Sequence, residues 1–199
     1  MSFRKELKFK LNASELSSCK EFLLQSGSQE LHPKRTVNSV YIDTSDYRMF
    51  SESEEGILPR QKHRIRWYNN INDMKYEIKT SSLEGRFKTS CSFSNKEYKN
   101  LGKFGLLAHE YGILTPSSLI SYQREYYSWN DMRVTIDTKI TFSLIRVSNH
   151  LKLDDPFNVM EIKAPIDCPY DYISKQFPFN TSRFSKYTRS ILASQKNLF

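Results

Sequence analysis

The sequence predicts a mainly antiparallel β fold of the α+β type, an eight-stranded β-barrel tunnel with helices at its periphery. Two observations point to the antiparallel sheet. Eight segments alternate apolar and polar residues with period two, the signature of strands with two different faces. Several of them are joined by very short connections rich in Asn, Asp and Gly, which link antiparallel neighbours and not parallel ones. A third observation suggests closure: paired charges recur on one face of strand after strand.

The alternating segments are residues 3–11, 36–44, 62–68, 74–81, 86–93, 120–129, 132–145 and 158–163. Asn69-Asn70 and Asn72-Asp73 separate the third from the fourth, Leu83-Glu84-Gly85 the fourth from the fifth, and Asn130-Asp131 the sixth from the seventh. Helix signals are fewer. Asn12-Ala-Ser-Glu15 has the form of a capping box before Leu16, Cys19, Phe22 and Leu23, with Gly27 as the stop. Ser94-Asn-Lys-Glu97 repeats that form ahead of Leu101, Phe104 and Leu107, and residues 183–195 read as a C-terminal helix. Residues 51–59, with Glu52, Glu54, Glu55, Gly56 and Pro59, read as a surface loop.

At 199 residues the chain is expected to form a single domain spanning 1–199. Thirty Lys and Arg face 22 Asp and Glu, a formal charge of +8, and the pI is near 9.3 with mean hydropathy −0.62. That balance suits a polyanionic partner: nucleic acid, an anionic membrane surface or phosphates. No apolar run approaches the roughly 18–20 residues of a membrane helix. The first residues carry charge at once, without the apolar stretch of a secretory signal. Cys19, Cys91 and Cys168 are odd in number and widely spaced, which excludes a disulfide scaffold and favours a reducing, cytoplasmic setting.

Residues i and i+2 of a strand share a face. Glu6 and Lys8 therefore oppose Leu7 and Phe9, and Arg64 and Arg66 oppose Ile65 and Trp67. Glu77 and Lys79 oppose Tyr76 and Ile78, and Arg86 and Lys88 flank Phe87. Arg133, Thr135 and Asp137 oppose Val134 and Ile136, and Glu161 and Lys163 oppose Met160 and Ile162. An ordinary sheet with one solvated face accounts for any single strand. Six such strands favour a second arrangement, with the charged face lining a barrel and the apolar face under helices. Buried charge is costly unless paired or bound to ligand, so an inward ring of Arg and Lys would be a polyanion tunnel.

Eight short segments, in order over residues 4–187, resemble the catalytic domain of the vacuolar transporter chaperone (VTC) polyphosphate polymerases, of the triphosphate tunnel and CYTH-like superfamily. They are Arg4-Lys-Glu-Leu-Lys-Phe9, Val37-Asn-Ser-Val-Tyr-Ile-Asp-Thr44, Lys62-His-Arg-Ile-Arg-Trp-Tyr68, Tyr76-Glu-Ile-Lys79, Tyr122-Gln-Arg-Glu-Tyr126, Arg133-Val-Thr-Ile-Asp-Thr138, Met160-Glu-Ile-Lys163 and Ser185-Lys-Tyr187. The resemblance implies a tunnel that takes ATP and polyphosphate or triphosphate, with divalent manganese or magnesium. It implies a phosphate ring of Lys8, Arg64, Arg66, Lys79, Lys88, Arg124, Arg133 and Lys186, with Arg86 as the alternative to Lys88. We add Lys163 as a lining cation. Arg64, Arg66, Lys79, Arg133 and Lys186 are the expected catalytic set. Glu161 is the expected metal carboxylate, assisted by Glu6 or Glu77.

Two other classes stay in view: a triphosphate hydrolase of the same superfamily, and a non-catalytic polyanion binder. Nucleic acid is not expected, because Trp67, Tyr76 and Ile78 fall opposite the basic set instead of between its members. His32, His63, His109 and His150 lack metal spacing and receive no catalytic role. Asp43 and Asp46 read as a turn-forming pair. Asp137 reads equally as an acid that orients a basic residue or as a strand-end turn residue.

Overall fold

The computed structural model describes residues 4–71, 73–146, 152–177 and 179–196. Phe3, Asn72 and His150 lie outside them. Ten strands and five helices alternate along the described chain: β1 (Arg4–Leu11), α1 (Ala13–Gln25), β2 (Gln29–Asp43), α2 (Arg48–Glu55), β3 (Arg60–Tyr68), β4 (Met74–Ser82), β5 (Gly85–Phe93), α3 (Asn95–Phe104), β6 (Leu106–Ala108), β7 (Gly112–Trp129), β8 (Met132–Leu144), β9 (Lys152–Asp154), β10 (Asn158–Pro165), α4 (Tyr170–Gln176) and α5 (Lys186–Lys196). Hydrogen-bonded neighbours run β1-β10-β8-β7-β2-β3-β4-β5, with β6 on β7 and β9 on β8. Every pair with a described register is antiparallel, as expected.

Both expected capping boxes form. Asn12 Oδ1 accepts the Glu15 N–H at 2.8 Å while Glu15 Oε2 accepts the Asn12 N–H. Ser94 and Glu97 do the same at the start of α3. Three expectations are corrected. Residues 51–59 are not all loop, since α2 occupies Arg48–Glu55. Its start is fixed by a carboxylate at the end of the preceding strand: Asp43 accepts the N–H groups of Met49 and Phe50. Leu107 is not on a helix, because α3 stops at Gly105, whose backbone has φ +70. A Cβ there would sit 2.5 Å from Ile113 Cγ2 and 2.8 Å from the Leu114 carbonyl oxygen, so only glycine fits. Finally, β2 and β7 extend well N-terminal to the alternating stretches seen in the sequence.

The chain divides into two compact units. Unit 1 comprises the residues up to Arg35, Tyr122–Ile140 and Asp155–Phe184. Its core gathers Leu7, Phe9 and Leu11 of β1, Val134 and Ile136 of β8, and Met160, Ile162 and Ala164 of β10, under Cys19 and Leu23 of α1 and Ile173 of α4. Cys19 is wholly buried with its Sγ 3.2 Å from Met160 Sδ, and burial pushes its thiol up to about 12. It is a core residue, as expected.

Unit 2 comprises Thr36–Ser121, Thr141–Asp154 and the residues from Ser185. Its core joins Val40, Ile42, Ile65, Trp67, Met74 and Phe93 of the sheet to Met49 of α2, Leu101 of α3 and Ala108 of β6. In each unit the apolar half of the alternation lies under helices. Burying such side chains contributes about 1.5–3 kcal/mol each, which sets which face of every strand turns inward to its helices.

Candidate functional site

The opposite face of each unit's sheet carries the charges. In unit 2, register places Lys62 opposite Lys79, Arg64 opposite Glu77 and Arg66 opposite Lys75. One strand further, Lys79 faces Lys88 and Glu77 faces Ser90. On the other side of β3, Tyr41 faces Arg64 and Ser39 faces Arg66. One basic face thus runs across β3, β4 and β5, with Glu77 as the carboxylate within it.

Glu77 organises this face. Its Oε2 accepts from Arg64 Nε at 2.8 Å and Nη2 at 2.5 Å, and its Oε1 accepts from Lys88 Nζ at 2.8 Å. Arg64 and Glu77 have only 8% and 5% of their side chains exposed. Burial alone would raise the Glu77 carboxyl, but the charges of Arg64 and Arg66 and the bonds from Lys88 and Arg64 hold it at about 2. Arg64 Nη1 donates to the Tyr41 hydroxyl at 3.0 Å, and Arg66 Nε donates to Ser39 Oγ at 2.9 Å. Burial would likewise raise the Tyr41 phenol, yet Arg64, Arg66 and Lys79 pull it to about 7. The Tyr41 ring stacks on Tyr187, centroids 4.8 Å apart. Two arginines are therefore fixed by neighbouring side chains, while Lys79, Arg86 and Lys88 are exposed residues, Lys88 with its Nζ on Glu77.

The same unit anchors α5. The Tyr187 hydroxyl donates to Asp43 Oδ2, and Lys62 Nζ donates to Ser185 Oγ at 3.2 Å. Lys186, half-buried, sits between these two tethers at the first residue of the helix. Asp43, whose oxygens also receive the α2 amides, is a structural carboxylate, in keeping with its turn-forming reading.

In unit 1 the charged face lies on β1, β10, β8 and β7. Arg124 Nε and Nη2 donate to Asp137 Oδ1 and Oδ2 at 2.5 and 2.7 Å, a bidentate pair. Asp137 thus orients a basic residue. Burial would lower the Arg124 guanidinium, but the charges of Asp137 and Tyr122 raise it well above its usual value. Arg124 lies 5.2 Å from the Tyr122 ring centroid and Arg133 lies 5.4 Å from that of Tyr126. Lys8 Nζ donates to the Phe184 carbonyl at 3.1 Å. Lys163 stands directly across from Glu6 on β1 and from Arg133 on β8. Its Nζ lies 3.1 Å from Glu6 Oε1 and 3.3 Å from Glu161 Oε1. Arg133 and Lys163 also line a cavity of about 510 Å³ with Ser128, Asp131 and Asp167.

The structure therefore groups Arg64, Arg66, Lys79, Lys88 and Glu77 on one face of unit 2. It groups Lys8, Arg124, Arg133, Lys163, Glu6 and Glu161 on one face of unit 1. The sequence reading passed over Tyr41 and Ser39. The same period-two rule would have found them, since Ser39, Tyr41 and Asp43 alternate with Val40 and Ile42. His63 falls on the apolar side, between the Tyr76 hydroxyl and the Gln61 side chain, and burial lowers it to about 4.

A hard divalent cation needs oxygen ligands, and one or two carboxylates suffice when substrate phosphates complete the shell. Glu6 and Glu161 fit that need: their oxygens already converge on a cation, the Lys163 ammonium. Both oxygens of Glu77 are engaged by Arg64 and Lys88. Among the described residues no group of three or more His, Cys, Asp or Glu could hold a metal ion.

Solved structures share the fold at low identity. A conserved hypothetical protein from Pyrococcus furiosus is similar with TM-score 0.60 and 12% identity, over 94% of this chain and 99% of its own. A candidate adenylate cyclase from Bacillus halodurans gives 0.58 and 15%, over 93% and 96%. A candidate adenylyl cyclase from Hippeastrum, described as having a dominant triphosphatase activity, gives 0.60 and 13%, over 96% of each chain. No curated protein sequence matches the chain. The VTC domain family matches residues 3–111 and 103–195. That match takes in every strand and helix that carries the two charged faces, so the chain belongs to the VTC domain family.

Proposed function

We propose that the protein is an ATP-dependent polyphosphate polymerase that transfers the γ-phosphate of ATP to the end of a growing polyphosphate chain. The observation that carries the reading is the fixed basic face of unit 2, found in a chain of this family. Phosphoryl transfer asks a protein for positioning and charge neutralisation more than for a nucleophile. Arg64 and Arg66 supply both, because Glu77 and Ser39 hold their guanidinium groups in place. Lys79, Lys88 and Lys186 add point charges to the same unit. In unit 1, Lys8, Arg124, Arg133 and Lys163 take the same part.

In the proposed step a terminal phosphate oxygen of the chain attacks the γ-phosphorus. A new P–O–P bond forms, the β–γ bridging bond breaks, and ADP leaves with the electron pair. No Ser, Cys or His nucleophile is required. Glu161 and Glu6 would hold manganese or magnesium, which when bound would offset phosphate charge. Glu77 acts as a positioning residue for Arg64. The partners are ATP and polyphosphate, with no nucleic acid, and the free thiols Cys19, Cys91 and Cys168 suit a cytoplasmic setting.

A triphosphatase is the second reading, favoured by the likeness in fold to the Hippeastrum protein described as a triphosphatase. One experiment separates them. Purified protein is incubated with ATP and manganese, then separately with tripolyphosphate and manganese. Polymer and ADP in equal phosphate equivalents are expected. Free phosphate from both substrates with no polymer would replace the polymerase reading by the hydrolase.

A further inference from the structure

Lys163 occupies an odd position for a phosphate-binding lysine. Its ammonium sits between two carboxylates, 3.1 Å from Glu6 Oε1 and 3.3 Å from Glu161 Oε1. The arrangement follows from strand geometry. Glu6 is the direct antiparallel partner of Lys163, and Glu161 is two residues along the same strand, so all three side chains leave the same face. Glu6 and Glu161 have 23% and 16% of their side chains exposed, and Lys163 has 30%. Two partly buried carboxylates so close would repel, and the ammonium between them offsets that repulsion.

The carboxylates that Lys163 neutralises are those assigned above to the divalent cation. A divalent cation carries twice the charge of an ammonium and binds carboxylate oxygens directly. Both cations make the same demand on Glu6 and Glu161, so they compete. We infer that Lys163 is a resident counter-ion which a divalent cation must displace, and that its ammonium turns to bound phosphate only after the metal arrives. This inference rests on the metal assignment in the proposed function and adds to it an order of events. It also gives Lys163 two successive parts. Without metal it keeps the two carboxylates together; with metal it adds one positive charge to the phosphate-binding set.

The competition has a counter-intuitive consequence: removing a positive charge should affect the cation more than a simple loss of a substrate contact would. Manganese binding is measured without nucleotide or phosphate, by isothermal titration and by the loss of the free-ion electron paramagnetic resonance signal. Three chains are compared: the wild type, Lys163→Met and Glu161→Gln. Lys163→Gln serves as a second variant of the lysine, and circular dichroism checks each fold. Both lysine variants are expected to bind manganese about tenfold more tightly than the wild type, in keeping with the loss of a unit charge a few ångströms away. Glu161→Gln is expected to bind it at least about tenfold more weakly.

Lysine variants that bind manganese no more tightly, with binding still lost in Glu161→Gln, would overturn the displacement while leaving the metal assignment in place. Unchanged binding in Glu161→Gln would remove the metal assignment and the inference together. A measurement on the wild type does not depend on any variant folding. Acetylation of Lys163, followed by mass spectrometry, is expected to speed up several-fold when manganese is added. A rate that stays the same or falls would show the ammonium still held, and would overturn the displacement.

Discussion

The two charged faces obey the same alternation but differ in balance. In unit 2, Lys62, Arg64, Arg66, Lys79 and Lys88 surround Glu77, and that carboxylate is spent on fixing Arg64 and Lys88. In unit 1, Lys8, Arg124, Arg133 and Lys163 share their face with Glu6, Glu161 and Asp137. Asp137 does for Arg124 what Glu77 does for Arg64. Glu6 and Glu161 both lie close to the Lys163 ammonium. The lesson is that one binary pattern can build two chemistries. A face rich in cations around one carboxylate is suited to gripping anions, and a face with several carboxylates among its cations is suited to exchanging cations.

The sharpest test of the parallel between the two arginine pairs is stability. Glu77→Ala and Asp137→Ala each leave a buried guanidinium without its carboxylate. Each should cost about 3–5 kcal/mol, read as a lower urea midpoint. A loss under about 1 kcal/mol in either would mean that its arginine is held by other groups.

The contrast in chemistry comes next. Arg64→Ala with Arg66→Ala should keep the far-ultraviolet spectrum and lower tripolyphosphate affinity roughly hundredfold, about 2.7 kcal/mol, even without metal. Glu161→Gln should leave the metal-free affinity nearly unchanged and weaken its enhancement by manganese. If the two variants behaved alike in metal-free buffer, the distinction between the faces would collapse.

Acid sensitivity should divide by residue. The Glu77 carboxyl, held at about 2 against 4.5 when free, contributes stability that is complete above pH 4.5 and is lost as pH falls toward 2. His63, buried and lowered to about 4 from 6.5, contributes stability that is complete above pH 6.5 and is lost as pH falls toward 4. Denaturation followed against pH should thus show an early slope that His63→Phe removes and a later one that Glu77→Gln removes. The smallest effect belongs to Lys88→Met. Lys88 is half exposed, and its pair with Glu77 should be worth no more than about 1 kcal/mol.

Much of this was legible in the sequence because its cause is local. Period two assigned Arg64, Arg66 and Glu77 to one face and Ile65, Trp67 and Tyr76 to the other. The two capping boxes announced α1 and α3 because donor and acceptor lie three residues apart. Helix α2 was missed because its start lacks the three-residue box, its amides being held instead by Asp43 at the end of β2, and because Met49 is drawn into a core made by other segments. The roles of Glu77 and Tyr41 were hidden in the same way.

Composition and alternation by themselves determined that the chain would form an antiparallel sheet with a basic face, since those properties depend only on which residues follow one another. Register decided the rest. Sliding β3 by one residue against β4 would turn every side chain to the wrong face, so burial of Ile65 and Trp67 selects the pairing that sets Arg64 on Glu77. The same logic sets Glu6 on Lys163. Which acid meets which base is a consequence of long-range strand pairing, and only the folded chain contains it.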